Sequence, residues 1–369
     1  MTMLIIMLIC DLMLVVPLAI TPYFTRKTEL FGVSIPASQS QNPVCKKLRA
    51  IYCAISLCLG AVLIAATWLI IDEDDISSVY NSLWLIGGYL AATFVVYLVM
   101  RSKMLALKAE QKWLSPYAGV PSVVMATSEP VGRDFISSVW LVVYPIILAL
   151  TVIGLAIVWP NVPDPYPTHF NAAGVADAWT AKTVGSLAFL LFTQVGLDLV
   201  MIGCFFAMKY TKRQIDAENP EKSAAQLRVY RYTMGASLTF IGAATALLLG
   251  AMQILTILPD MNHTVFFIVS MSLYALAIIA PCVAMYRVGQ GGSRVKVANA
   301  GDAAPQVNIN DDKYWLLGVI YFNPKDPAYF VEQRFGLGMT FNLGKPAMIA
   351  LAIFILAGTA AACILPFVL

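Results

Sequence analysis

Two carboxylates lie in the middle of long apolar runs, and their type and position could support proton or cation movement. Asp11 lies near the centre of the run 2–21, and Asp198 lies near the centre of the run 184–208, one helical turn after Gln194. A charge at the centre of a bilayer costs at least about 2.5–3.5 kcal/mol, so such residues usually mark functional pathways. No Lys, Arg or His lies inside any apolar run. Each carboxyl group is therefore expected to be protonated, hydrogen-bonded or open to a cation-accessible cavity.

Two interpretations of these carboxyl groups stay open. The first is a proton- or cation-linked pathway through the bilayer. The second is a neutral acid that hydrogen-bonds a neighbouring helix, a contact that averages about 0.6 kcal/mol in a measured membrane protein. The sequence does not decide between them.

Metal and catalytic motifs are weak or missing. The two histidines, His169 and His263, lie near Asp164, Asp177 and Asp260 and are of metal-ligand type, but their spacing identifies no metal. The sequence has no phosphate-binding loop, H-E-x-x-H, C-x-x-C or G-x-S-x-G motif. We therefore expect a protein that is not an enzyme, with no cofactor and no metal.

Apolar helices must position the carboxylates and histidines named above. Hydrophobic residues make up 59% of the chain and charged residues only 12%, which is too apolar for a soluble protein. Apolar runs of about 20 residues can cross a bilayer as helices, which satisfy their own backbone hydrogen bonds. Eight such runs lie at about 2–21, 50–71, 79–100, 136–159, 184–208, 235–257, 264–286 and 347–368. The predicted fold is an all-α polytopic membrane protein with about eight transmembrane helices and a small β-hairpin-like cytoplasmic element before the last helix.

Basic residues alternate between the segments that join these runs. Of the 24 Lys and Arg residues, 23 fall in every second segment, and Lys182 is the exception. Because basic loops stay on the cytoplasmic side, the alternation predicts a multi-pass protein of the cell membrane with both termini outside. The net charge of +3 follows from this topology, so the expected partner is the lipid bilayer and not nucleic acid. The expected cytoplasmic loops are 22–49, 101–135, 209–234 and 287–346, and the expected outer loops are 72–78, 160–183 and 258–263.

Two loops have the composition of small folded elements. In the first cytoplasmic loop, Gly32 interrupts an extended apolar pattern and predicts a tight turn that ends by Pro36, although a plain connector is the alternative. In the outer loop, prolines make the first half extended, Gly174 permits a turn, and Trp179 suits the headgroup level.

The longest loop changes character along its length. Residues 289–310 are rich in Gly, Ala and Asn, which predicts a flexible linker. The segments Leu317–Phe322 and Gly338–Leu343 favour strands and are separated by a turn-forming sequence, so we predict that they form a two-stranded element. Because an isolated hairpin is only marginally stable, it should pack on the bilayer surface or on the loops 22–49 and 101–135.

Three motifs resemble those of a known family. The stretch P-x-P-T-H-F-N-x-x-G-x-x-D-x-W resembles the extracellular signature of the bacterial SdpI-associated membrane domain, whose function is largely unknown. The segment Asp311–Pro346 is similar to an accessory module with D-x-Y-W, Y-x-N-P-x-D-P and R-F-G-x-G-x-T-x-N motifs. The F-G-V-x-I-P of the first loop also resembles the early cytoplasmic loop of these proteins.

The resemblance implies a membrane protein that senses or gives immunity to an extracellular peptide or envelope signal. It also implies a cytoplasmic partner, such as a transcriptional repressor. The residues expected to bind the signal are Pro167, His169, Asn171, Gly174, Asp177 and Trp179. The expected residues of the cytoplasmic module are Tyr314, Trp315, Asn323, Pro324, Asp326, Pro327, Arg334, Phe335 and Gly336. The alternative is a proton- or cation-coupled secondary transporter that uses Asp11, Gln194 and Asp198.

These features divide the chain into six regions. They are a three-helix membrane region (1–135), the signature membrane domain with its outer loop 160–183 (136–210), a two-helix membrane region (211–288), the linker (289–310), the cytoplasmic module (311–346) and the last transmembrane helix (347–369).

Overall fold

The computed structural model describes residues 2–72, 75, 77–113, 135–170, 175–211, 220–255, 257–258, 262–297 and 311–368. Within these residues the chain forms eight α-helices and eight short strands. The helices are α1 (Thr2–Ile20), α2 (Pro43–Ile70), α3 (Ser77–Glu110), α4 (Val143–Val158), α5 (Val184–Lys209), α6 (Pro220–Leu255), α7 (His263–Val288) and α8 (Pro346–Val368). The strands are β1 (Glu29–Leu30), β2 (Val33–Ser34), β3 (Tyr166–Phe170), β4 (Ala176–Thr180), β5 (Trp315–Leu316), β6 (Ile320–Tyr321), β7 (Phe330–Glu332) and β8 (Met339–Phe341).

Every apolar run of the sequence forms a helix. Among the described residues, the six helices α2 to α7 are long and apolar enough to cross a membrane. The first and last runs form α1 and α8, whose described apolar stretches, Met7–Tyr23 and Pro346–Gly358, are shorter. The helical architecture is therefore confirmed, with six helices of membrane-spanning length and two further apolar helices in the described part of the chain.

Local sequence signals set the helix ends. Asn42 caps α2 by accepting a hydrogen bond from Val44 N at 2.9 Å, and Pro43 occupies the first helical position, where no donor is lost. Thr183 and Ser186 form a reciprocal capping box at the start of α5. Three helices also continue beyond their apolar runs, since α2 begins at residue 43, α3 ends at 110 and α6 begins at 220. These polar extensions carry basic residues to one end of the bundle.

The helices pack in two groups. In the first, α2 lies between α1 and α3, and in the second, α6 contacts α4, α5 and α7. Gly60 of α2 lies against Val15 of α1, and Gly250 of α6 lies against Thr151 of α4, so small residues allow close helix contacts. The contacts that join the two groups lie at the end of the bundle that carries the basic extensions of α2, α3 and α6.

The strands form four separate antiparallel hairpins, which are β1–β2, β3–β4, β5–β6 and β7–β8. The prediction that Leu317–Phe322 pairs with Gly338–Leu343 as one hairpin is wrong. Each segment pairs with its own neighbour, because Leu317 and Gly318 have positive φ and close a tight local turn. The two hairpins meet through a parallel bridge between Tyr321 and Asn342, a hydrogen bond from Leu343 N to Tyr321 O at 2.9 Å, and the packing of Val331 on Trp315 and Tyr321.

Three of these hairpins assemble at one end of the bundle. We call residues 21–42, 289–297 and 311–345 the cap. Residues at the start of the predicted linker belong to it, because Gln290 is fully buried and its backbone N–H donates to Phe24 O at 3.3 Å. The rest of the predicted linker, 298–310, lies outside the described residues.

The β3–β4 hairpin lies at the opposite end. Phe135, just before α4, and Met208, near the end of α5, belong to one apolar cluster that also contacts Met339 of the cap. The other ends of α4 and α5 are joined by the β3–β4 hairpin. Because α5 has 26 residues, about 39 Å separates the hairpin from the cap along this helix.

Two glycines allow the cap to pack closely on α3. Gly32 has a φ of 68° in the predicted tight turn between β1 and β2, which confirms that turn. A Cβ at Gly32 would lie 2.4 Å from Gly318 O and 2.6 Å from the hydroxyl of Tyr97 in α3. The β1–β2 and β5–β6 turns can therefore meet only because neither has a side chain at the contact.

Candidate functional site

The carboxylate of Asp312 joins three distant parts of the chain. Its Oδ1 accepts hydrogen bonds from Ser34 N at 3.1 Å, from Ser34 Oγ at 3.0 Å and from Arg334 Nη1 at 2.5 Å. Its Oδ2 accepts one from Lys108 Nζ at 2.7 Å. Burial alone would raise the pKa of Asp312, but Arg334 and Lys108 outweigh it and hold the pKa below its usual value. Asp312 is therefore a charged anchor between α3, β2 and the module.

Arg334 is the buried cation of this cluster. Its side chain is only 3% exposed and pairs with both Asp311 and Asp312. The guanidinium lies over the Trp315 ring at 4.9 Å, and its Nη1 also donates to Gly32 O at 3.2 Å. Burial would lower the pKa of Arg334, but the facing carboxylates outweigh it and raise the pKa.

An aromatic layer lies beside the ion pairs. The Phe335 ring lies 4.5 Å from Tyr97, 5.8 Å from Tyr52 and 6.0 Å from Phe31, measured between ring centroids. These four residues come from the module, α3, α2 and the first loop. The predicted packing of the module on the loop 22–49 is thus confirmed, and the polar end of α3 forms the rest of its support.

A second ion pair links the cap to the other helix group. Arg26 of the first loop pairs with the buried Glu332 of β7. Gln290 donates to Glu332 Oε2 at 3.4 Å and accepts at 2.8 Å from the hydroxyl of Tyr230 in α6. Through these contacts the first loop, β7 and α6 are held together.

The remaining module residues fix the shape of the β5–β8 region. Asn342 accepts from Asn323 N at 3.0 Å and donates to Asn323 O at 2.9 Å, so it clamps the turn before β7. Asp326 accepts from the Tyr321 hydroxyl at 2.8 Å and raises the pKa of Tyr321 further, beyond the effect of burial. Of the other predicted module residues, Tyr314 packs near Tyr321, and Gly336 turns the chain with a φ of 106°. Pro324 and Pro327 are exposed, and the carbonyl of Pro324 accepts a hydrogen bond from Lys345.

Glu29 is a carboxylic acid of the cap whose ionised form is disfavoured by burial. Burial raises the pKa of Glu29 to about 7, although Arg334 and Arg26 favour the ionised form and oppose this shift. Its Oε2 atom is buried without a hydrogen-bond partner in the described part of the chain. Glu29 therefore changes charge near neutral pH, next to the ion pairs that hold the cap.

The predicted signal-binding residues lie on the β3–β4 hairpin. Pro167 faces Trp179 across the two strands, and the Trp179 side chain is 55% exposed. His169 and Asp177 lie in the strands, but their side chains, like the turn residues Asn171 and Gly174, are outside the described residues. The hairpin is joined to the helix ends through Lys182, whose Nζ donates to Val162 O at 2.8 Å.

The two apolar-run carboxylates lie in different helix groups. In α5, Asp198 and Gln194 are buried, and Gln194 Nε2 contacts Thr151 Oγ1 of α4 at 3.4 Å. Asp198 Oδ1 and Gln194 Oε1 have no hydrogen-bond partner among the residues described. In α1, Asp11 is fully buried and accepts from Thr67 Oγ1 of α2 at 2.7 Å. The structure therefore keeps the two carboxyl groups apart and does not bring them into one site.

Of the two histidines predicted to lie outside, the structure describes the side chain of His263 but not that of His169. The His263 ring stacks on Phe170 with a centroid distance of 4.2 Å, so it packs the start of α7 against β3. The parts of the chain that are described contain no group of three or more His, Cys, Asp or Glu side chains that could hold a metal ion. The side chains of His169, Asp177 and Asp260 are not among those described, so a metal site at His169 and His263 stays a prediction.

Sequence reasoning missed the residues that hold the cap together. Asp312 opens the D-x-Y-W motif but was not singled out, and its partners Lys108 and Ser34 lie 204 and 278 positions away. Glu332 and Arg26 were missed for the same reason, since they are 306 positions apart. The one signal available was the pair of adjacent acids, Asp311 and Asp312, in a basic loop.

The architecture defines the class of protein, which is a helical multi-pass membrane protein with a folded cap at one end. Two known families match parts of the chain. A domain of unknown function (DUF1648) matches residues 146–193, which span most of α4, the β3–β4 hairpin and the first part of α5. A family of unknown function (DUF5808) matches residues 324–347, which include the β7–β8 hairpin. No curated protein and no solved structure gives a significant match to the chain.

Replacing Asp312 with asparagine should destabilise the cap strongly. Arg334 and Lys108 would lose their shared anion while staying buried, a change that typically costs about 3–5 kcal/mol. Melting temperature in detergent, followed by circular dichroism, measures the effect. Glu110→Gln is the matched control, because it removes a carboxylate that is exposed at the end of α3. Equal melting temperatures for Asp312→Asn and Glu110→Gln would contradict the role of Asp312.

The free energy of unfolding should fall as pH rises from about 5 to 8, and ionisation of Glu29 should cause part of this fall. The pKa of Glu29 is raised from 4.5 to about 7 in the folded protein. Its stabilising contribution is therefore complete below pH 4.5 and is lost as pH rises through 7, by about 3 kcal/mol. Denaturant unfolding of Glu29→Gln should show a smaller pH slope than wild type or Glu110→Gln. An unchanged slope in Glu29→Gln would exclude this titration.

Proposed function

We propose that the protein is a non-enzymatic membrane sensor or immunity factor of the SdpI-associated type. Its β3–β4 hairpin would meet an extracellular peptide or envelope signal, and its cap would bind a cytoplasmic protein such as a transcriptional repressor. The observation that carries this proposal is the separation of two folded elements at opposite ends of one helical bundle. A bundle with a recognition element at each end suits transmission better than catalysis.

The proposal includes an orientation and a number of spans. Because basic residues gather at the cap end, the positive-inside rule supports a cytoplasmic cap and an outer hairpin in the cell membrane. The helices α1 and α8 have 19 and 23 residues and would reach about 28 and 34 Å, close to the thickness of a hydrocarbon core, which is about 30 Å. Eight spans would then place both termini outside.

The hairpin has the surface of a recognition element. Trp179 and Val175 are more than half exposed, and a two-stranded ribbon has unpaired backbone groups along its edges. An extended peptide can bind such an edge by adding a strand, while the exposed tryptophan supplies apolar contact area. This chemistry supports a peptide as the signal.

The cap also offers an apolar surface to a partner. Leu316, Leu317, Phe322 and Tyr329 are large apolar side chains of the module that are about half exposed. They lie on strands and turns that the ion pairs hold in place, so the surface is formed before a partner arrives. Binding would then avoid much of the entropy cost of ordering these side chains.

A single helix connects the two elements. The α5 helix begins four residues after β4 and ends at Lys209, whose carbonyl accepts a hydrogen bond from Arg231 of α6 at 2.5 Å. Thr211, two residues further, contacts Met339 of β8 through its hydroxyl at 3.4 Å. A tilt of α5 caused at the hairpin would therefore move residues that touch the cap, which makes α5 the element to test for coupling.

Survival of cells that carry the gene tests the immunity proposal. Cells with the intact protein should survive secreted antimicrobial peptides better than cells without it. Trp179→Ala and His169→Ala should each lose protection, because removing a central aromatic contact commonly weakens binding by about tenfold or more. Trp140→Ala is the matched control, since Trp140 is an exposed tryptophan at the other end of α4. Equal survival of all strains would reject the proposal.

The second candidate function is a proton- or cation-coupled transporter. The observation in its favour is that Asp198 Oδ1 and Gln194 Oε1 are buried together in α5 without a hydrogen-bond partner in the described residues. Such atoms could bind a proton or a cation in transit. Asp11 is a further candidate site, because Thr67 donates to its Oδ2 while its Oδ1 is buried without a hydrogen-bond partner in the described residues.

Flux into proteoliposomes separates the transporter from the sensor. If Asp198 carries a coupled ion, Asp198→Asn should reduce ion-driven uptake by about 100-fold or more, since the group that binds the ion is lost. Asp75→Asn serves as control, because Asp75 lies exposed outside the apolar helices. Uptake that is equally low in wild-type and empty liposomes would leave the sensor as the better account.

A further inference from the structure

A basic cleft opens at the edge of the cap, beside the ends of α1 and α2. Its volume is about 200 Å³, and it lies between the end of α1, the first turns of α2 and the residues that follow α7. Three cations line it, which are Lys27, Arg49 and Arg294. Hydroxyl groups of Thr25, Ser40 and Ser293 complete the polar wall, and no carboxylate is among the lining residues that are described.

Arg49 is buried in this cleft without an acidic partner. It is only 9% exposed, and its guanidinium donates to Ser40 O at 2.8 Å and to Ser40 Oγ at 3.3 Å. Within the described chain it forms no ion pair, whereas Arg334, which is 3% exposed, pairs with two carboxylates. A buried charge is costly unless a counter-charge or further hydrogen bonds compensate it. An anion from outside the chain would therefore compensate the buried charge of Arg49.

Arg294 is held in place at the opposite wall. Its guanidinium stacks on the Tyr286 ring at 4.2 Å and lies 5.6 Å from the Phe24 ring. It also donates to Tyr286 O at 2.7 Å and to Tyr23 O. Because these contacts fix the guanidinium before any ligand binds, little side-chain entropy remains to be lost on binding. Lys27 is exposed at the mouth and can approach the same ligand.

The cleft lies where the apolar helices begin and end. The α1 helix ends at Ile20, and Arg49 directly precedes the apolar part of α2. In a membrane this depth is that of the lipid headgroups, where basic pockets between helices bind anionic groups. Guanidinium groups match the geometry of phosphate oxygens and bind them through paired hydrogen bonds, while hydroxyl groups supply further donors.

We propose that this cleft binds a phosphate group, presented either by an anionic phospholipid headgroup or by free inorganic phosphate. The phosphate lies between Arg49 and Arg294 and accepts hydrogen bonds from both guanidinium groups. Lys27 closes the mouth of the cleft. Occupation links α1, α2 and the end of α7, and so stabilises the cap at its outer edge.

Titration calorimetry on the full chain in detergent tests the proposal. The ligands are a short-chain phosphatidylglycerol, inorganic phosphate at constant ionic strength, and a short-chain diacylglycerol that has no phosphate. The cleft variant combines Lys27→Gln with Arg294→Gln. Its matched control combines Lys46→Gln with Lys47→Gln, which removes two exposed charges from the same end of α2 outside the cleft. Melting temperatures of all variants report whether they are folded.

Wild type should bind phosphatidylglycerol, inorganic phosphate or both, and it should not bind the diacylglycerol. The cleft variant should bind at least about tenfold more weakly, and the control should stay within about twofold of wild type. Binding of phosphatidylglycerol alone identifies a lipid headgroup as the source, and competition by inorganic phosphate identifies a site that also accepts the free ion. Equal binding by the cleft variant and wild type, equal losses in the cleft variant and the control, or no binding of either phosphate ligand would overturn the proposal. If Arg294→Gln proves unfolded, Lys27→Gln alone is compared with Lys47→Gln under the same criteria.

Discussion

The cap depends on the carboxylate of Asp312, whose side chain is 15% exposed and whose charge several neighbours compensate together. Taking a charge out of water is costly, and only a full set of hydrogen bonds and opposite charges offsets that cost. Asp312 has such a set because Ser34, Lys108 and Arg334 reach it from three segments that are far apart in the chain. The positions of β2, the end of α3 and the loop before β8 are therefore coupled, since moving any one of them removes part of the compensation of the Asp312 charge.

This constraint explains how two helix groups become one molecule. The α1–α3 group reaches the cap through Lys108 and the aromatic layer around Phe335. The α4–α7 group reaches it through Gln290 and Tyr230, next to the Glu332–Arg26 pair. Helices in lipid gain little from apolar contacts with one another, because lipid tails are equally apolar. Polar contacts in the cap can therefore set the relative position of the groups, and changes in those contacts can carry a signal.

Much of the architecture could be predicted from the sequence, since apolar runs of about 20 residues and basic loops are local patterns. The tight turn at Gly32 was also predicted, because glycine interrupts an extended pattern there. The pairing of strands in the module was predicted wrongly, because the positive φ of Leu317, a residue that rarely adopts it, closes a local turn that its sequence does not indicate. The buried ion pairs were missed because charges that meet across 200 or more positions have no spacing to recognise. At the hairpin, the extended first half that the prolines predict includes β3, while no physical pattern in the sequence identifies the ligand.

The claim that the cap fixes the two helix groups relative to each other can be measured directly by electron–electron distance spectroscopy. Spin labels at Lys103 in α3 and Tyr232 in α6, both exposed, report the distance between the groups when the native cysteines are replaced. Our account predicts one narrow distance distribution for the otherwise wild-type protein. It predicts a broader or shifted distribution when Asp312→Asn and Glu332→Gln are introduced together into a chain whose helix content is unchanged. Identical narrow distributions in both proteins would contradict the account, because the groups would then be held together without the buried charges of the cap.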